Sequence, residues 1–115
     1  MPKWIRKNNK ERLKEEVDTN LVSLLKFPAL EDTNLVKHAF STRMGGVSTG
    51  YLSSMNLSFT KESSYDNVLE NYKRVSKALG VDVEDMVLSY QTHTTNVLKV
   101  ENKHRGSGIL RKREY

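Results

Sequence analysis

The chemistry this chain could perform rests on a few residues. Arg43 precedes Gly45-Gly46 inside HAFSTRMGGVSTGYLSSMNLSF (residues 38–59), and His93 follows Gln91 by two positions in QTHTT. A guanidinium is a permanently charged, forked donor, and glycine lets backbone N–H groups come close to a ligand; together they suit an anion such as phosphate. The competing reading is an ordinary surface arginine, because the glycine pattern matches neither the Walker A nor the dinucleotide fingerprint. Asn56, at the far end of the loop, has donors and an acceptor with which to cap, turn or bind. His93 lies between two strand-like runs, where an imidazole suits metal ligation or proton transfer. No second ligand stands near it at a metal-binding spacing, so His93 alone does not make a zinc site. Glu15-Glu16 and Glu84-Asp85 read as solvated carboxylates rather than an acid/base pair.

The loop itself is unusual in its charge. Charged residues are 29% of the chain, yet residues 38–59 carry only Arg43. A loop bathed in solvent on both sides would carry more. Either it folds over a pocket with Arg43 aimed inward, or it is a wide turn packed on a neighbouring helix.

The elements that must position these residues are read from periodicity. Val68, Tyr72, Val75 and Leu79 follow one another at spacings of four, three and four, which predicts a helix over 66–79 with one apolar face. Asp66 is placed to cap its start and Gly80 to end it. LVKHAFST (35–42), MVLSYQ (86–91) and NVLKV (96–100) read as strands. ERLKEEVDTNLVSLLKF (11–27) has two readings: a helix through its charged part, or two strands joined at Asp18-Thr19-Asn20. Phe27-Pro28 ends either one.

Composition narrows the classes. The chain has 115 residues, enough for one modest core, and no cysteine, so disulfides, thiolate metal ligands and thiol nucleophiles are excluded within it. There is no apolar run of membrane-spanning length and no signal-peptide core, which points to a cytoplasmic location and no membrane partner. The net charge is +5, with the basic excess at the two ends. These ends lack interleaved aromatics and the middle is nearly neutral, so nucleic-acid binding is the least supported class.

Taken together, HAFSTRMGGVSTGYLSSMNLSF, DNVLENYKRVSKALGV, VLSYQTHTTNVLKV and RGSGI resemble the laccase-domain family. Its members have been called multicopper polyphenol oxidase, purine nucleoside phosphorylase and peptidoglycan editing factor. The resemblance runs from about Leu21 to the end of the chain. It implies an α+β fold with mixed β-sheets in layers and flanking helices, present as a partial domain. Residues 1–20 would be a basic N-terminal segment and 21–115 the N-terminal half of that domain. By the same resemblance, His93 matches the first ligand of a single zinc. Arg43 and Asn56 match pocket residues and Gln91 would support the site near His93; Arg43, Asn56, Gln91, Gly45 and Gly46 are expected to bind substrate, and His93 and Arg43 to be the catalytic residues. The run Ser-Met-Asn-Leu stands here where the family has Ser-Leu-Asn-Leu.

The implied activity is phosphorolysis of adenosine or inosine, with adenosine deamination also ascribed to the family. The partners would be a purine nucleoside and phosphate. The family's remaining metal ligands, a cysteine and a second histidine, lie in a segment this sequence does not contain, so the chain is expected to be inactive alone. The alternative expectation is a non-catalytic module that associates with itself or another chain through an open sheet edge. Laccase chemistry is not expected, because three histidines at 38, 93 and 104 cannot supply several coppers.

Overall fold

The computed structural model describes residues 4–5 and 11–113. The chain forms two compact units, Met1–Gly80 and Val81–Tyr115.

The first unit is built on the second reading of residues 11–27. Strands β1 (Trp4–Ile5), β2 (Glu11–Val17), β3 (Ser23–Lys26) and β4 (Phe40–Ser41) form an antiparallel sheet in that order. Asp18 decides the hairpin. Its Oδ1 accepts the N–H groups of Asn20 and Val22, both at 2.9 Å, and Leu21 takes the left-handed conformation at φ 63°. A short carboxylate that satisfies two turn amides outcompetes helix continuation there. β2 pairs with β3 from Lys14↔Lys26 to Val17↔Ser23, so residues 11–17 belong to the sheet and the turn at 18–20 is internal to the hairpin. On one face Lys14 and Lys26 meet Glu16 and Glu31, with Lys14 Nζ 2.5 Å from Glu31 and Lys26 Nζ 2.7 Å from Glu16. Glu31 closes the single turn of α1 (Pro28–Glu31), which starts at the proline.

Helix α2 (Tyr65–Leu79) is the element read most directly from spacing. Its cap differs from the expectation. Ser64, not Asp66, is the N-cap, and its Oγ accepts the N–H of Asn67. Asp66 sits in the first turn, where its charge suits the helix dipole. Gly80 ends the helix at φ 82°. The buried face presents Val68, Tyr72 and Val75, and Val75 packs with Val22, Leu24 and Met55 to form the core.

The second unit has little regular structure. Short 3-10 turns occupy Val83–Asp85 and Asn102–His104. Leu88 N–H donates to the Ser107 carbonyl and Gly106 N–H to the Met86 carbonyl, which lays residues 86–88 beside 106–107. Ile109 and Ser107 are buried, and Arg105 pairs with Asp85.

The strands expected at 86–91 and 96–100 do not form among the described residues, and the strand expected at 35–42 contracts to Phe40–Ser41. Alternating apolar residues make a strand only where a partner satisfies the backbone, and β3 offers β4 just two pairing positions. The class is α+β. The strands of the sheet pair antiparallel, and the parallel pairing described is the isolated Ser107↔Arg111 bridge. No helix among the described residues is long and apolar enough to cross a membrane.

Candidate functional site

The loop from Thr42 to Glu62 is fastened at both ends. Thr42 Oγ1 donates to the Ser23 carbonyl, which ties the loop's entry to β3. The Arg43 carbonyl accepts the N–H groups of Ser54 and Met55, each at 2.9 Å, and the Ser54 hydroxyl at 3.0 Å. The Arg43 guanidinium returns the contact, donating through Nε and Nη2 to the Ser53 carbonyl. Arg43 thus clamps residues 53–55 against its own backbone, while its side chain stays exposed. Among the described residues, Nη1 carries no bond.

The two glycines answer to close packing. A Cβ on Gly45 would stand 2.4 Å from Val22 Cα, and one on Gly46 would stand 2.1 Å from the Ser54 carbonyl oxygen. No side chain fits at either position. The neighbouring amides are committed within the loop and its helix: Met44 to Thr42 Oγ1, Gly46 to Ser54 Oγ, Val47 to Asn71 Oδ1 and Ser48 to the Ser54 carbonyl. The glycines bring backbone against backbone, and the charged donor exposed at this turn is the Arg43 guanidinium rather than a row of free N–H groups.

Asn56 is bound on both sides of its amide. Nδ2 donates to the Ser58 carbonyl and to Glu62 Oε1, and Oδ1 accepts the Ser58 N–H. Glu62 gathers three neutral donors: Asn56 Nδ2, Ser48 Oγ at 2.5 Å and Asn67 Nδ2. These hold its carboxyl below the ordinary carboxylate value, with the Asn56 bond the largest cause, then Ser48, then Asn67.

Beneath them, Asn71 is 0% exposed. It joins the loop to α2 through three bonds, accepting from Val47 N–H and donating to Ser48 Oγ and the Asn56 carbonyl. Tyr72 Oη donates to the Leu57 carbonyl and Arg74 Nη1 to the Gly45 carbonyl. The sparse charge of this loop therefore has a structural cause: its neutral polar groups pair with one another and with a buried asparagine on the helix. Asn71 and Glu62 were not singled out from sequence. The signal that was available is the asparagine on the apolar stripe of α2, one residue before Tyr72.

Gln91 and His93 lie in the second unit. Both are exposed, and His93 holds the left-handed conformation at φ 57°, which a residue with a side chain seldom adopts outside a turn. Tyr90, just before them, is stacked under the Arg113 guanidinium with 5.3 Å to the ring centroid. The other two histidines serve backbone amides: His38 Nε2 accepts Phe27 N–H and His104 Nδ1 accepts Glu101 N–H. Among the described residues, no three His, Cys, Asp or Glu side chains gather closely enough to hold a metal ion.

Residues 37–113 match the family described as Multi-copper polyphenol oxidoreductase laccase. A protein of Deinococcus radiodurans named purine nucleoside phosphorylase is 37% identical over 75 residues, covering 64% of this chain and 29% of that relative. The chain therefore spans under a third of the length of the curated relative it matches. No solved structure matches it.

Proposed function

Because the chain belongs to the Multi-copper polyphenol oxidoreductase laccase family, we propose that it carries part of the substrate site of a purine nucleoside phosphorylase. One observation carries this reading: the 37% identity to the Deinococcus radiodurans purine nucleoside phosphorylase. The loop geometry supports it. Arg43 is exposed and permanently charged; its carbonyl accepts three hydrogen bonds from Ser54 and Met55 and its guanidinium donates two to the Ser53 carbonyl, which limits the entropy lost when it grips an anion.

In phosphorolysis, an oxygen of inorganic phosphate attacks the sugar C1′ and the N-glycosidic bond breaks, releasing the purine. Arg43 would hold the phosphate or the sugar, and Asn56 the nucleoside through its remaining acceptor capacity. Gly45 and Gly46 would shape the turn that presents Arg43, and Gln91 would support His93. Adenosine deamination is a secondary part of the same reading.

Zinc dependence belongs to the proposal, with His93 as one ligand. One imidazole does not make a catalytic zinc site, which ordinarily takes three protein ligands, and the described residues of this chain do not fit a complete centre. The role assigned to this chain is substrate binding. Multicopper oxidation fits still less well, since there are three histidines and no cysteine, and two of those imidazoles already accept backbone amides.

The test is isothermal titration of the chain with phosphate and with inosine, for wild type and Arg43→Ala. Phosphate binding that the substitution weakens by about tenfold or more, the loss expected for a charge-assisted contact, supports the reading. Equal binding by both proteins removes Arg43 from the site.

A further inference from the structure

The first unit leaves one edge of its sheet open. β4 is the last strand in the order and pairs with β3 through Phe40↔Leu25 and Ser41↔Leu24, with no strand on its other side among the described residues. The chain leading into it is apolar and exposed: Leu35 is 84% exposed, Val36 54% and Phe40 70%. A groove of about 600 Å³ runs beside this stretch, lined by Lys26, Leu35, Val36, Lys37, His38 and Leu79. An exposed apolar edge strand invites another strand, and a groove beside it gives alternate side chains somewhere to sit.

Charge selects the occupant. From Thr33 to Lys61 the sequence holds Lys37, Arg43 and Lys61 as cations and no aspartate or glutamate. Glu31, on the groove wall, is already paired with Lys14 and Lys26. A second copy is a poor fit. Two β4 strands paired antiparallel about Phe40 would set Lys37 of each copy opposite Arg43 of the other, gathering cations with no acid between them. A strand whose side chains alternate between apolar and acidic satisfies both the groove and the cations.

We propose that the free edge of β4, with the groove beside residues 34–38, binds an extended segment of a partner polypeptide in which apolar and acidic residues alternate. The partner's backbone extends the sheet, its apolar residues cover Val36 and Phe40, and its carboxylates face Lys37.

The test uses a fluorescein-labelled eight-residue peptide of alternating valine and glutamate, titrated with the chain by fluorescence anisotropy at low ionic strength. Two controls are the valine–lysine peptide and a valine–glutamate peptide with proline at the two central valines, which removes backbone donors from the pairing. The expected result is saturable binding of the first peptide and at least about tenfold weaker binding of both controls, a difference of one good contact in each case. Phe40→Glu and, separately, Val36→Glu should weaken the first peptide to a similar degree while leaving the circular dichroism spectrum unchanged, since both side chains are exposed. Three outcomes overturn the proposal: equal binding of all three peptides, no binding of any, or a dimer in solution that Phe40→Glu converts to monomer. The last would assign the edge to a second copy.

Discussion

Replacing Asn71 by alanine should destabilise the chain more than its modest size implies. The side chain is 0% exposed and makes three hydrogen bonds to the loop, at 2.8 Å from Val47 N–H, 3.0 Å to Ser48 Oγ and 2.8 Å to the Asn56 carbonyl. Ser48 keeps its bond to Glu62, so it loses little. Val47 N–H and the Asn56 carbonyl lose the partner that α2 gives them. At about 1–3 kcal/mol for each stranded buried group, the pair amounts to roughly 2–6 kcal/mol. Both residues are half-buried, so water can reach them in part and a value near 3 kcal/mol is expected. Urea unfolding followed by far-ultraviolet circular dichroism reads this directly. With a slope of roughly 1–3 kcal/mol per molar, the midpoint should fall by about 1–3 M. Asn71→Asp sharpens the test. It preserves shape and the bond from Val47, but it sets an oxygen against the Asn56 carbonyl, so at neutral pH it should cost at least as much as alanine. A midpoint shift below about 0.3 M for alanine, which the same slope makes less than a single net hydrogen bond, or aspartate outperforming alanine, would refute the role given to this residue.

Three further outcomes follow from the same geometry. Gly46→Ala should prevent the loop from closing, because the new Cβ would meet the Ser54 carbonyl at 2.1 Å; Gly50→Ala has no neighbour within 4 Å and should cost only the left-handed penalty at φ 65°, about 1 kcal/mol, as thermal melts of the two would show. Glu62 and Glu16 have carboxyls held below their ordinary values, Glu62 by Asn56 first and Glu16 by Lys26 first. A depressed folded value adds stability that is full above the unfolded carboxylate value, about 4.3, and is lost as pH falls through the folded one. The urea midpoint should therefore drop on acidification below that range, and Glu62→Gln should start lower at pH 7 and fall less. Ser64→Ala removes the acceptor for Asn67 N–H and should cost about 1 kcal/mol in urea unfolding, whereas Asp66→Ala should cost less, since Asp66 is not the cap.

Several of these features were legible in the sequence, and the reasons differ. The helix at 65–79 was readable because a 3.6-residue stripe and a terminal glycine are local signals. The hairpin at 11–26 was readable only as one of two options. Its decision lies in Asp18, whose turn bonds outweigh the helix propensity of the charged residues before it. The strand runs at 86–91 and 96–100 show the limit of periodicity: alternation says which side would be buried, but the pairing partner is not written in the segment itself. At the loop, the residue types drew attention to Arg43, Asn56 and the glycines. The reason for the missing charge lay elsewhere, in Asn71 and Glu62. A buried polar residue on a helix's apolar face is informative only once its partners are known, and these lie 15 to 24 positions away in sequence.

The central claim is that this chain contributes to purine nucleoside phosphorolysis. Its most direct test is release of purine base from inosine in the presence of phosphate and zinc. The chain would be assayed alone and mixed with the portion of the Deinococcus radiodurans relative that it does not match. The account predicts release only in the mixture, lost in both Arg43→Ala and His93→Ala. A folded complex that releases no base, or release that neither substitution alters, would contradict it.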